Sequence, residues 1–355
     1  GAAALDANTT ADGNTAVGVN AASAVTTGAS NTAVGQNALL LTSTGTMNAA
    51  VGNHSLDANT TGSYNVAVGG NALTANTTAS NNVAVGYSAL AANTTGTDNV
   101  AVGDSAGDAV STGSDNTFIG DNAGGATTTA SDNTAVGSSA LLSNSTGASN
   151  VAIGAYALDA ATTANGNSAV GYNALGAATT GNYNVAMGYQ ALLANVDGDR
   201  NVAVGSSALQ ALDPASNVDM YNVAVGHNAG LAVTTGVQNT LIGGEAGVTI
   251  TTASNNTAVG YSALQANTSG TDNTAVGSNA GDANTTGSDN TFIGDNAGGA
   301  TTTADNNTAV GSSAFLVNST GHSNVAVGSY ALDANTTGQS NSAVGHNALS
   351  ANTTG

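Results

Sequence analysis

The stretch that decides the fold is Asn65-Val-Ala-Val-Gly-Gly-Asn-Ala-Leu-Thr-Ala-Asn-Thr-Thr-Ala-Ser-Asn81, a seventeen-residue phrase that the chain repeats throughout. The phrase starts at seventeen-residue intervals from Asn14 to Asn201 and, after a four-residue slip, from Asn222 to Asn341. Each of these twenty starts is an asparagine with a glycine four residues later. We number the positions of each unit from this asparagine, which is position 1. So short a repeat predicts a solenoid whose units bury each other's faces.

The composition is strongly acidic. The 355 residues include 21 acids and a single cation, Arg200, which gives a formal net charge of −20. Nucleic acids and anionic membranes are bound by clustered Lys and Arg, so we expect neither as a partner. No apolar run reaches the roughly 18 residues of a membrane span, so we expect no membrane insertion. There is also no Cys, no phosphate-binding loop and no nucleophile paired with a base. We therefore expect no enzyme activity.

Apolar and polar residues alternate with a period of two, which indicates β-strands. Position 10 is often polar, as in Asp57, Thr74 and Gln265, so its neighbours at positions 9 and 11 should face inward. The predicted fold is all-β, a parallel β-solenoid (a β-roll or β-helix) of about 20 coils with a 17-residue repeat.

We predict one solenoid over residues 1–355, built from two copies of a ten-coil block at about 1–181 and 182–355. The same phrase, Gly-Ser-Asp-Asn-Thr-Phe-Ile-Gly-Asp-Asn-Ala-Gly-Gly, begins at Gly113 and again at Gly287. The four-residue slip predicts an insertion loop around 212–221, which holds the single proline, Pro214.

One exchange locates the core. Position 3 is alanine except in three units, which carry Phe118, Leu241 and Phe292. In those units, and in the unit before each, the usual leucine at position 9 is replaced by glycine. One large side chain thus appears where two leucines are missing, as volume conservation in a close-packed interior requires. Positions 3 and 9 should line opposite walls of one core.

If position 3 faces inward, positions 2 and 4 face outward. Position 4 is nevertheless always Val, Ile or Met, and position 2 is Thr, Val, Ser or Ala. This apolar stripe is larger than a monomer usually exposes, so it predicts a contact with another copy. Its representative residues are Val68, Val85, Val102 and Ile119.

The invariant residues predict structural ladders. The position 1 asparagines should bond to one another from coil to coil, and the position 5 glycines should occupy turns that need positive φ or close approach. Representative members are Asn65, Asn82, Asn99, Gly69, Gly86 and Gly103.

Acidic residues recur in successive coils, where their carboxylates could hold Ca²⁺. The alternative is a solvated acidic edge. The candidate ligands are Asp98, Asp115, Asp132, Asp272 and Asp289. We expect no other cofactor.

Thr-Thr pairs at positions 13 and 14, such as Thr60-Thr61 and Thr77-Thr78, form two further ladders. Regular threonine arrays on flat β-faces suggest ice binding, although only one of two adjacent ranks can face water. Several asparagines before these pairs also fit the N-glycosylation pattern, with a turn ladder as the alternative. They are Asn59, Asn76, Asn93, Asn144, Asn318 and Asn335.

The phrase Asn-Val-Ala-Val/Ile-Gly, as at Asn65–Gly69 and Asn150–Gly154, resembles the repeat of YadA-like trimeric autotransporter adhesin heads. With Ala-Leu and Asn-Thr-Thr-Gly it also resembles repeats of chlorovirus glycoproteins and phage tail fibres. The resemblance implies a parallel β-roll, commonly trimeric, on a cell or virion surface, with a host glycan or protein as a possible ligand.

These observations lead us to expect an extracellular structural subunit that assembles with itself. Gly1 enters and Gly355 leaves in the middle of a coil, so head-to-tail stacking would cover open ends. The expected assembly is a filament, a homotrimer or both. The alternative functions are a surface adhesin or a viral or phage tail-fibre shaft for host attachment, and then ice binding.

Overall fold

The computed structural model of the protein describes residues 1–355 and divides them into two compact units, Gly1–Thr180 and Gly181–Gly355. Both units are all-β parallel solenoids without a helix, as the repeat predicted. Each coil contributes one three-residue strand at positions 2 to 4 of the repeat.

In the first unit the strands are β1 (Thr15–Val17), β2 (Thr32–Val34), β3 (Ala49–Val51), β4 (Val66–Val68), β5 (Val83–Val85), β6 (Val100–Val102), β7 (Thr117–Ile119), β8 (Thr134–Val136), β9 (Val151–Ile153) and β10 (Ser168–Val170). In the second unit they are β11 (Val185–Met187), β12 (Gly198–Asp199), β13 (Val202–Val204), β14 (Val218–Asp219), β15 (Val223–Val225), β16 (Thr240–Ile242), β17 (Thr257–Val259), β18 (Thr274–Val276), β19 (Thr291–Ile293), β20 (Thr308–Val310), β21 (Val325–Val327) and β22 (Ser342–Val344).

Within each unit, each three-residue strand pairs in parallel with the strand of the next coil, and equivalent repeat positions lie opposite each other. Val66 of β4 is opposite Val83 of β5, for example. The register also survives the insertion, because Val202 of β13 lies opposite Val223 of β15. Each strand position thus stacks on the same position of the next coil, and the four extra residues are accommodated outside the strand.

The strands point position 3 inward and positions 2 and 4 outward, as expected. The middle residue is buried in every three-residue strand except β1, and its two neighbours are half-buried or exposed. The prediction that position 11 faces inward is wrong: Ala75 is half-buried and Leu41 is exposed.

Backbone conformation explains this error. Positions 6 to 11 form a chain of turns in which positions 7 and 9 adopt the left-handed conformation, as at Asn71 (φ 60°) and Leu73 (φ 52°). Such residues break the alternation of an extended strand. Positions 8, 9 and 12 therefore face inward, as Ala72, Leu73 and Asn76 do.

The exchange between positions 3 and 9 is a direct steric fit. Phe118 is fully buried between Gly107 and Gly124. A Cβ atom on Gly107 would lie 2.7 Å from Cδ2 of Phe118, and one on Gly124 would lie 2.5 Å from its Cδ1. Phe292 and Leu241 are likewise buried against the glycines of their own and the preceding coil.

The position 5 glycine meets two requirements at once. Gly69 has φ 139° and Gly86 has φ 144°, a region that side-chain-bearing residues avoid. A Cβ atom on Gly69 would also overlap the carbonyl group of Gly86 in the next coil. Invariance at this position therefore follows from the backbone alone.

Candidate assembly surface

The position 1 asparagine fixes each strand to its neighbours. The Asn65 side chain is fully buried. Its Nδ2 donates to Oδ1 of Asn48 at 3.2 Å and to the carbonyl oxygen of Ala79 at 2.8 Å. Its Oδ1 accepts the backbone N–H of Asn82 at 3.0 Å. One amide thus joins three coils, and the same pattern holds at Asn99.

Position 12 carries a second, interrupted ladder of buried asparagines. Asn93 donates to Oδ1 of Asn76 at 3.2 Å and to the carbonyl oxygen of Gly96 at 2.9 Å. Asn82 donates to the same carbonyl, also at 2.9 Å. The position 15 carbonyl therefore keeps a donor when position 12 is apolar, as at Val110, where Asn99 alone binds Gly113.

Because the asparagines of this second ladder are buried, N-linked glycans at the six candidate sites are excluded in the folded chain. All six asparagines of the candidate glycosylation pattern are fully buried, and their amides donate within their own turns. These asparagines form the turn ladder that the sequence offered as the alternative to glycosylation.

The outward residues of positions 2 and 4 form one flat face in each unit, which we call the strand face. Val68 and Ile119 of this face are 38% and 39% exposed, while Val85 and Val102 are half-buried. No residue at positions 2 to 4 is charged in any of the twenty coils. Nor do the side-chain hydroxyls on this face, such as that of Thr257, bond within the protein. The strand face is thus an uncharged surface on a highly acidic chain.

The threonine pairs behave differently. At position 13 the hydroxyl donates to the carbonyl oxygen of the next coil, as from Thr60 to Thr77 at 3.0 Å. Only position 14 is exposed, as at Thr61. The threonine pairs therefore present one exposed rank rather than two.

Position 17 lies two residues before the strand face and borders it. Every residue there is left-handed, including Asp98 (φ 60°), Asp115 (φ 59°) and Asp132 (φ 62°). Asp, Asn, Ser and Gly suit this conformation better than most residues, which accounts for the recurring acids. Asp272 and Asp289 take it as well. The structure brings no three acidic or histidine side chains together as a metal-binding group.

The second unit carries a different border. Tyr183, Arg200 and Tyr221 occupy position 17 in successive coils. The Arg200 Cζ lies 5.6 Å from the ring centroid of Tyr183 and 5.9 Å from that of Tyr221, within the range of cation–π contacts. Arg200 also pairs with Asp219, whose Oδ2 accepts the Tyr221 hydroxyl at 3.0 Å.

The insertion supplies this border with Asp219. Val218–Asp219 pairs in parallel with Gly198–Asp199, while Pro214 packs on Gly198, where a Cβ atom would lie 3.1 Å from Cγ of Pro214. The insertion lies after position 11 of its coil, outside the strand, and leaves the strand register intact. The sequence places its single cation, Arg200, and its single proline, Pro214, in this region, but only the shared repeat position of the tyrosines points to the stack.

Three aspartates at position 10, in the turns that follow the strand, are half-buried on the side of the coil away from the strand face. Loss of hydration raises the pKa of Asp108, Asp159 and Asp282 above the ordinary 3.8, against backbone hydrogen bonds that lower it. The charge of Asp104 adds to the rise at Asp108. No cavity opens on the surface beside them.

Comparisons with known proteins return nothing that names a family. No protein-family model matches the chain, and no curated protein matches it. The structure has no helix with the length and apolar character that crossing a membrane requires.

Proposed function

We propose that the protein is a structural subunit of an extracellular fibre or filament, and that its copies associate through the strand face. The observation that carries this proposal is the contrast between a net charge of −20 and a strand face without one charged residue. Acidic surfaces repel each other, so two copies approach most favourably where neither presents a carboxylate.

Apolar character adds a driving force. Position 4 is Val, Ile or Met in every coil, and residues such as Ile153 (40% exposed) and Met187 (45% exposed) remain open to water. Covering apolar surface yields roughly 25 cal/mol per Å². Contiguous apolar surface of this kind on a soluble protein is characteristic of a contact site.

The geometry favours another copy over an unrelated partner. Parallel strands lie about 4.8 Å apart, so the ten strands of one unit give a face roughly 45 Å long. A second solenoid with the same spacing can match side chains into gaps along that whole length. The strands are three residues wide, about 10 Å, so this face covers roughly 450 Å². A stable interface needs about 800 Å² on each partner, so the contact must also include the side chains that border the strand face.

Introducing a charge tests this proposal. Val68→Asp places a carboxylate on the strand face, whereas Thr61→Asp places one on the exposed rank of position 14. We expect electron microscopy and sedimentation velocity to show oligomers or fibres for the wild type and for Thr61→Asp, and weaker assembly for Val68→Asp. Equal assembly of both variants would place the contact elsewhere.

A role in attachment is a second proposal, favoured by exposed tyrosines outside the strand face. Tyr156 and Tyr172 form an edge-to-face pair with ring centroids 5.8 Å apart, and both rings are exposed. Aromatic rings of this kind suit contacts with sugars or proteins. Loss of binding to host-cell glycans in a Tyr156→Ser, Tyr172→Ser variant that still assembles would support attachment, and unchanged binding would oppose it.

A further inference from the structure

The strand face is not equally suited to association along its length, because its borders differ. In two coils of the first unit, carboxylates stand on both sides of the rung: Asp98 and Asp104 flank Val100–Val102, and Asp115 and Asp121 flank Thr117–Ile119. One coil of the second unit has the same arrangement, with Asp289 and Asp295 flanking Thr291–Ile293. A second copy brought to these coils would add like charges at both edges. Such repulsion opposes close contact.

Three coils of the second unit carry the opposite kind of border. Their rungs are Val185–Met187, Val202–Val204 and Val223–Val225, which hold no hydroxyl or charged side chain. One border is the stack of Tyr183, Arg200 and Tyr221, with 59% of Tyr183 and 49% of Tyr221 exposed. We call these rungs and their tyrosine–arginine border the anchor patch.

We propose that the anchor patch is the principal site of contact between copies of this chain, an inference that rests on the proposed self-association through the strand face. The patch combines Tyr, Arg and Met beside apolar rungs, the residue types enriched where interfaces gain most of their free energy. Four consecutive rungs of the first unit, from Ala49–Val51 to Val100–Val102, also lack hydroxyl and charged side chains. Their border consists of Met47, Tyr64, Asn81 and Asp98, so it has one tyrosine and no arginine, and only the anchor patch combines such rungs with a Tyr–Arg–Tyr stack.

The border is also held in place before any contact forms. Arg200 lies between two rings, and Asp219 forms an ion pair with Arg200 and accepts a hydrogen bond from the Tyr221 hydroxyl. The ion pair neutralises charge at the border, and the stacking limits side-chain freedom. Side chains that are already ordered lose less entropy on binding.

The occupant is a second copy rather than an acidic or basic protein of another kind. The rungs of the anchor patch repeat at the strand spacing, which a second strand face matches rung for rung. Of the carboxylates beside these rungs, Asp199 is buried and Asp219 is paired with Arg200, so a basic partner would find little free negative charge there, and an unrelated acidic partner would lack the repeat spacing. A second copy offers both an uncharged face and the same spacing.

The test removes the aromatic border without changing the fold. Position 17 is serine in several other coils, as at Ser30 and Ser149, so Tyr183→Ser, Tyr221→Ser is compatible with the backbone there. Tyr64→Ser is the matched control, because Tyr64 occupies the same repeat position in the first unit and is 56% exposed. Melting temperatures of both variants would verify folding.

Sedimentation equilibrium would measure the association constant of each chain. We expect the double variant to associate at least about tenfold more weakly than the wild type, and Tyr64→Ser to stay within about twofold. Equal weakening by both variants, or weakening by neither while Val68→Asp weakens the assembly, would overturn the anchor patch and leave the proposed function standing. A monomeric wild type would overturn both.

Discussion

The two sides of each coil obey different rules. The strand side, positions 17 to 5, keeps Asn at position 1 and Gly at position 5 in all twenty coils. The turn side, positions 6 to 16, exchanges Leu for Gly or Phe at position 9 and Asn for Val at position 12, and accepts four extra residues before Tyr221. Both sides are packed against neighbouring coils, so burial alone does not explain the contrast.

The two sides of the coil differ in the structural requirements that they impose on their residues. On the strand side the requirements concern the backbone: the φ of Gly69 and the three-coil hydrogen bonding of Asn65 have no substitute among other side chains. On the turn side, and at the inward position 3 of the strand that packs against it, they concern volume, which several combinations of residues can fill. The constant Asn and Gly of the strand side also keep the strand face regular, which assembly with another copy needs.

The sharpest test of this contrast uses two adjacent glycines. Gly69→Ala combines an unfavourable φ with overlap of the Gly86 carbonyl, so we expect a loss of more than about 3 kcal/mol in urea unfolding. The atom nearest to the new Cβ in Gly70→Ala would be Cδ2 of Tyr87 at 3.4 Å, an ordinary contact, so stability should change by about 0.5 kcal/mol or less. Similar losses for the two variants would erase the distinction between the sides.

The second test exchanges volume across the core. Phe118→Ala should cost about 3–5 kcal/mol through the cavity it leaves. Gly124→Leu alone should also destabilise, because the new side chain meets the Phe118 ring. The double variant restores one of the two leucines that Phe118 replaces, so its loss should be below the sum of the two single losses, although Gly107 keeps part of the cavity open. Additive losses in the same urea assay would show that volume does not govern the turn side.

The third test compares the two ladders. Asn82→Ala leaves the backbone N–H of Asn99 without its acceptor and should cost about 2–3 kcal/mol. Asn93→Val removes a second donor from the Gly96 carbonyl, which Asn82 still binds, and the donor to Oδ1 of Asn76, while the Oδ1 of Asn93 itself already lacks a partner. We expect a loss of about 1 kcal/mol for Asn93→Val, smaller than that for Asn82→Ala. A larger loss for the turn-side variant would contradict this account.

The smallest effect concerns pH. Asp108, Asp159 and Asp282 on the turn side have folded pKa values raised above the ordinary 3.8, so the folded chain binds protons more readily than the unfolded one. Their burial therefore destabilises the fold above the raised pKa, and this penalty disappears as the pH falls to 3.8. Stability should rise with acidification over that window.

A triple variant carrying Asn at these three positions should lose part of that rise in thermal melts. The control carries Asn at Asp98, Asp115 and Asp289, strand-side residues whose replacement changes the net charge equally. An equal loss in the control would trace the pH dependence to overall charge rather than to burial on the turn side.

The repeat alone is enough to predict the parallel solenoid. The Phe118 exchange is enough to locate its core, because the large residue gained at position 3 is matched by the leucines lost at position 9. The turn side was harder. Asn76 faces inward instead of Ala75 because residues before it adopt the left-handed conformation. Leu73 is one of these residues, and a leucine in a sequence does not indicate that conformation. Asn76 therefore looked like a glycosylation site. The stack around Arg200 depends on side-chain contacts between coils, which periodicity does not report.

The most direct test of self-association through the strand face is the molar mass in solution. Sedimentation equilibrium of the wild type over a range of concentrations should give a multiple of the 33.5 kDa chain mass, and Val204→Asp, which places a carboxylate within the anchor patch, should return the mass of one chain. A wild-type mass of 33.5 kDa at every concentration would contradict the account.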